Sequence, residues 1–155
     1  MKAQQKNFMK TQQEKYIREN ILPWQVLRLF CHFTTPPKNK HVLTVSLYPR
    51  PLLLMVNSQI HPYIKNRAYL KSCQVLLRAS EHLFLAHDSY VDCRNVCTTF
   101  SLNDIVAQVH ADRQRIKGFI SDEAQTQVIA AIKVCPALEK QYKNLILAEV
   151  AELEV

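Results

Sequence analysis

Lys38, Lys40, His41, Arg50 and Ser80 stand in polar, loop-like stretches of a segment that carries no carboxylate. These are the residue types that RNA cleavage without a metal ion requires. The 2′-hydroxyl is its own nucleophile, so the protein supplies only a base, an acid and a cation for the phosphorane charge. The surrounding charge pattern favours the same kind of ligand. Between Glu19 and Glu81 there is no acidic residue, whereas Arg28, Lys38, Lys40, Arg50, Lys65, Arg67, Lys71 and Arg78 all fall in that interval. Uncompensated cations at this density create a potential that attracts polyanions. Phe30, Phe33, Tyr48, Tyr63 and Tyr69 are interleaved with them, and a ring beside a cation suits an unpaired base. A solvated basic face without a ligand fits the same residues, and each one taken singly is an ordinary polar loop side chain.

Other chemistries fit less well. His82, His87, Cys93 and Cys97 lie close together with Asp88 and Asp92 between them. Their H-x4-H and C-x3-C spacings match no common zinc knuckle, and a strand over 88–93 would send neighbouring ligands to opposite faces. No metal and no cofactor are therefore expected. The cysteines Cys31, Cys73, Cys93, Cys97 and Cys135 are odd in number and contain no C-x-x-C. They read as small buried hydrophobes rather than as a disulfide framework. Ser89 with His87 or His110 offers a hydroxyl and an imidazole, but nothing locates an oxyanion hole. Gly118 is the only glycine. That excludes the Rossmann fingerprint, the P-loop and the kinase Gly-rich loop, each of which needs several glycines for close approach to phosphate.

The elements that must position these residues follow from periodicity. The 155 residues and net charge of +7 describe one globular domain large enough to bury a core. Residues 1–20 are rich in Gln and Lys with a thin apolar face, and read as a loosely held polar extension. From Trp24 the pattern turns to period two, with Leu27, Leu29, Cys31 and Phe33 alternating against Arg28, Phe30 and His32, as in a half-buried strand. Residues 34–40, with Pro36 and Pro37, form a loop. Residues 41–48, 52–57, 73–79 and 88–93 supply four more strands, with a loop or short helix over 58–71.

Five short strands in about seventy residues predict a small antiparallel barrel or sandwich. Helices come last. Ser101 and Ser121 read as N-caps, the second helix stops at Cys135-Pro136, and an amphipathic helix follows over 136–155. The domain proper is then 21–135. No window approaches a membrane span, and no apolar leader opens the chain, so a cytoplasmic protein with no membrane contact is expected.

Two segments resemble the PemK/MazF toxin family. His87-Asp88-Ser89-Tyr90-Val91-Asp92-Cys93 is similar to that family's D-S-x-V-x-C strand, and Ile116-Lys117-Gly118-Phe119-Ile120-Ser121-Asp122-Glu123 to its L-G-x-L-S-x-E ending. The resemblance covers roughly residues 24–135. It implies a mainly β (α+β) fold, a small SH3-like antiparallel barrel with C-terminal helices, often a homodimer. It further implies cleavage of single-stranded RNA without metal and neutralisation by an acidic antitoxin protein.

The family places an Arg-Pro pair after its first strand and a Thr at the end of a later one. Here Lys40 or Arg50 takes the first role and Ser80 the second. Those three are the candidate catalytic residues, with Arg28, Lys38, Lys65, Arg67, Lys71 and Arg78 as nucleic-acid contacts. The alternative is a non-catalytic module of the same fold that binds a partner protein or nucleic acid. Gly118 falls before the family's last helix, where a turn or helix-end residue needs positive φ.

Overall fold

The computed structural model describes residues 2–153; Met1 and the last two residues of the expected 136–155 helix lie outside them. Six strands form one curled antiparallel sheet, a half-barrel in an α+β fold. In chain order these are β1 (Gln25–Cys31), β2 (Lys38–Ser46), β3 (Leu52–Asn57), β4 (Gln74–Leu77), β5 (Ser89–Asp92) and β6 (Ile116–Phe119). Their spatial order is β4-β5-β3-β2-β1-β6, so the meander β1–β2–β3 occupies the centre and β4 and β6 the two edges.

Both faces of the meander are covered, which explains its apolar character. One core joins Val26, Leu43, Val45, Leu54 and Val56 to Val128 and Ile132 of helix α5 (Asp122–Val134) and Ile146 of α6 (Lys140–Leu153). The other joins Leu27, Leu29, Val42 and Leu53 to Ile105, Val106 and Val109 of α4 (Leu102–Ala111). Alternation sends neighbouring residues of one strand into opposite cores. Each fully buried Leu, Ile or Val contributes about 1.5–3 kcal/mol of transfer free energy.

The caps form as their sequences predict. Ser101 Oγ accepts the Asp104 N–H at 3.0 Å while Asp104 accepts the Ser101 N–H at 2.9 Å, a reciprocal capping box. Ser121 Oγ accepts the Ala124 N–H at 3.1 Å. The 58–71 connection contains two single-turn helices, α2 (Pro62–Lys65) and α3 (Ala68–Lys71).

Four features depart from the sequence reading. Residues 1–20 do not form a loose extension: Lys2–Asn20 is a helix, α1. Lys, Gln and Glu are good helix formers even without an apolar face. Its last turn is anchored, with Ile17 in the α4-side core and Arg18 donating to Asn103 Oδ1 at 2.6 Å.

The sixth strand, β6, is additional to the five that periodicity predicts. It forms because β1 offers it a free edge. Gly118 does have positive φ, +152°, but it sits inside β6 at a register shift, where an added Cβ would lie 3.2 Å from the Phe84 ring.

The cysteines are not all free thiols. Cys73 and Cys135 are joined in a disulfide with their Cα atoms 5.4 Å apart. Burial brings the residue before β4 to the end of α5, a pairing that a separation of 62 residues hides from any motif. The C-terminal helix also starts later than its sequence suggests, at Lys140. Glu149, which interrupts its apolar stripe, keeps Oε2 buried without a hydrogen-bond partner.

Candidate nucleic-acid cleft

A cleft of about 590 Å³ opens where β2 begins and β3 ends. The start of β2 contributes Lys38, Asn39, Lys40 and His41, and β3 contributes Asn57 at its last position. Lys40 and Asn57 are brought together by the β2–β3 ladder, in which His41 pairs with Val56. Lys40 Nζ donates to Asn57 Oδ1 at 2.8 Å. Burial pushes the Lys40 ammonium below its ordinary lysine value, and the neighbouring charge of Lys38 pushes the same way. His41 is likewise held below the usual histidine range, first by burial and then by Arg28 and Lys117. Its ring is therefore neutral at pH 7.

Across the cleft stand Gln74 of β4, Asp92 of β5 and Arg94 just beyond it. Among the described residues Asp92 is the one acidic side chain lining the cleft, and it is fully engaged. It accepts from Arg94 Nη2 at 2.8 Å, Arg94 Nε at 3.0 Å, the Arg94 backbone N–H at 3.0 Å and Gln74 Nε2 at 2.9 Å. Burial alone would raise the carboxyl, but the Arg94 hydrogen bonds outweigh it and hold Asp92 below the ordinary range. Arg94 is thus a guanidinium locked in orientation at the cleft wall.

Two imidazoles complete the lining. His61 Nδ1 accepts the Tyr63 N–H at 3.1 Å as the cap of α2, which places the ring's hydrogen on Nε2 when neutral. His87, exposed, precedes β5.

The sequence candidates separate into groups. Lys38 and Lys40 line the cleft. Lys65, Arg67 and Lys71 belong to the two single-turn helices over 61–72, beside the His61 and Ile64 wall. Arg67 stacks on Tyr63, its Cζ 3.6 Å from the ring centroid. Arg28 is exposed opposite His41 in the β1–β2 ladder.

Arg50 and Ser80 do not join the cleft. Arg50 lies in the turn at the other end of the β2–β3 hairpin, about 20 Å along β2 from Lys40 at ~3.3 Å per residue. There its Nη2 donates to the Tyr142 hydroxyl of α6 at 3.1 Å. Ser80 is exposed in a 3-10 turn (Ala79–Glu81). Arg78, beside it, lines a separate hollow with Glu81 and Glu123.

The His/Cys cluster read from the sequence does not assemble either. His82 is buried, with Nδ1 2.8 Å from the Arg78 carbonyl and Nε2 accepting the Ser121 N–H at 3.0 Å. Cys93 is a core thiol pushed up to about 12 by burial and then by Asp92. Among the described residues no three His, Cys, Asp or Glu side chains cluster as a metal site.

Asn57, His61, Asp92 and Arg94 were not singled out as site residues. Asn57 ends β3, His61 caps α2, and Asp92 with Arg94 closes β5, so only the fold brings these three places together. The nearest sequence signal was the D-S-x-V-x-C strand, whose Asp92 positions Arg94. No family model matches the chain, and no curated protein matches it. No helix among the described residues is long and apolar enough to cross a membrane.

Proposed function

We infer that the protein binds single-stranded RNA in this cleft and cuts it without a metal ion, as its resemblance to PemK/MazF toxins implies. One observation carries the reading. The cleft gathers the half-buried Lys40, the neighbouring Lys38 and the locked Arg94, while its only carboxylate is consumed by an internal pair. A dry, preorganised cation is worth most where negative charge develops, at the pentavalent phosphorus.

In the reaction the 2′-oxygen bonds to phosphorus and the P–O5′ bond breaks. A base takes the 2′-hydroxyl proton and an acid returns one to the leaving 5′-oxygen. The products are a 2′,3′-cyclic phosphate and a 5′-hydroxyl. His61 and His87 are the groups on the lining suited to move those protons, and Lys40 and Arg94 those suited to hold the charge. Tyr63 under Arg67 gives a splayed base a ring to stack on.

An acidic partner protein, the antitoxin of the resembling family, would compete for the same cations, and homodimerisation would extend the groove. RNA as substrate places the activity in the cytoplasm.

The test is incubation of single-stranded RNA with purified protein in EDTA. Cleavage that weakens in Lys40→Ala supports the reading, and intact RNA at micromolar folded protein overturns it. Binding with a steep salt dependence but no cleavage would instead establish the non-catalytic alternative.

A further inference from the structure

Beside the cleft, sharing Asn39 with it, lies a smaller concavity of about 120 Å³ lined by Arg28, Asn39, Asp112, Gln114, Arg115 and Lys117. Arg28 faces His41 across the β1–β2 ladder. Lys117 arrives by an irregularity. Val26 of β1 pairs with Gly118, yet the next residue, Leu27, pairs with Ile116, so Lys117 is the extra residue of a bulge. A bulge re-aims a side chain that regular alternation would place elsewhere.

Arg115, in the 3-10 turn Arg113–Arg115, is fixed before any ligand arrives. Its Nη1 donates to the Arg28 carbonyl at 2.8 Å and to Asn39 Oδ1 at 2.9 Å. The one carboxylate in the lining is Asp112, whose Oδ1 is engaged by the Gln114 N–H at 3.0 Å. Among the described residues no carboxylate forms an ion pair with Arg28, Arg115 or Lys117.

Three cations that converge beside a single carboxylate, Asp112, which pairs with none of them, repel one another, and a bound anion removes that cost. A concavity of about 120 Å³ lined by three cations suits a single phosphate group. We propose that Arg28, Arg115 and Lys117 form a second anion subsite, which holds a backbone phosphate of the RNA strand whose adjoining nucleotide lies in the cleft. That the ligand is RNA rests on the function proposed above; that the subsite takes a phosphate group does not.

His41 reports on it. The ring lines the cleft opposite Arg28 in the β1–β2 ladder and feels the charges of Arg28 on β1 and Lys117 on β6, with Lys38 and Lys40 on its own strand. An anion that shields Arg28 and Lys117 raises the pH at which the ring protonates.

The experiment has two arms, run on the wild type and on an Arg28→Ala, Lys117→Ala double variant. In the first, NMR follows the His41 titration with and without inorganic phosphate. In the second, binding of a single-stranded oligoribonucleotide is measured across salt concentrations. Phosphate should raise the His41 midpoint in the wild type and leave it in place in the double variant. The plot of log affinity against log salt should become shallower by about 0.7 in the double variant, for one lost single-strand phosphate contact.

A wild-type His41 that ignores phosphate, or an unchanged salt slope in the double variant, overturns the subsite while leaving the cleft intact. A phosphate response without any RNA binding overturns the RNA reading and leaves the subsite as a site for free phosphate. Circular dichroism confirms folding, and Lys117→Gln alone replaces the double variant should that unfold.

Discussion

The two ends of the β2–β3 hairpin use the same side chains in opposite ways. At the hairpin turn and in the core that α5 and α6 cover, side chains are wired to partners: Arg50 to Tyr142 of α6, and His82 to Arg78 and to Ser121, the cap of α5. The Cys73–Cys135 disulfide lies in that same core. At the open end, Lys38, Arg28 and Lys117 have no carboxylate partner among the described residues, and Lys40 meets only a neutral amide. A cation tied to a helix of the core side stabilises the fold, and one held at the mouth of the cleft stays within reach of a ligand. The difference lies in neither residue type nor sequence neighbourhood, since Lys40 and Arg50 share one hairpin.

Breaking the wired end should give the largest effect. Cys135→Ala removes a cross-link spanning 62 residues, and for a loop of that length the chain-entropy model gives a loss of about 4 kcal/mol. Denaturant unfolding measures it, and reductant should lower the wild-type midpoint towards that of the variant while leaving the variant unmoved.

Asp92→Asn attacks the one wired pair inside the cleft. Replacing the carboxylate that Arg94 pairs with should cost about 1.5 kcal/mol, the value of a charge-assisted hydrogen bond at a solvent-facing site. It should also change the acid limb of the stability curve. Because the folded carboxyl is held below its ordinary value of 3.8, its contribution is complete above that pH and is lost as pH falls through the lower folded value. The wild type should therefore lose stability below about pH 4 in a step that Asp92→Asn lacks.

At the open end, Lys40→Ala should slow RNA cleavage by about 100-fold, the effect of removing one preorganised charge-stabilising donor. Its thermal midpoint should move little. Arg50 completes the contrast. Its exposed contact with Tyr142 is worth about 0.5–1 kcal/mol, and Arg50→Ala should slow cleavage far less than Lys40→Ala. Equal losses in the two variants would erase the distinction between the hairpin's ends.

Glu149→Leu, which replaces an unpartnered buried oxygen by an apolar group, should raise stability by about 1 kcal/mol.

Much of the meander was legible in the sequence because its signals are local. Leu27, Leu29 and Cys31 alternate against Arg28, the Leu52–Asn57 run matches β3 residue for residue, and Ser101 and Ser121 carry their cap chemistry beside the helices they start. Residues 1–20 were read as loosely held because their apolar face is thin, whereas helix α1 is fastened to α4 by Ile17, by Arg18 on Asn103 and by Gln13 on His110. Strand β6 is four residues around a glycine and exists only through its pairing with β1. The candidate site divides along the same line. Lys38 and Lys40 stood out through the absence of acids around them. Arg50 and Ser80 were chosen by the same residue types and the same acid-free stretch, and then by a family pattern, and neither signal carries information about which end of a hairpin a residue occupies. Arg94 and His61 needed the sheet to bring β5 and the α2 cap to the same opening.

The Cys73–Cys135 bond has a topological consequence. It closes a ring that contains β4, β5, α4, β6 and α5 but leaves the meander outside. Yet β5 pairs with β3 and β6 with β1, so two arms of one covalent loop grip the meander from both flanks. A protease that cuts the exposed 58–72 connection would therefore release nothing. The severed N-terminal piece would stay clasped as the middle of the sheet, and the two fragments would part only on unfolding.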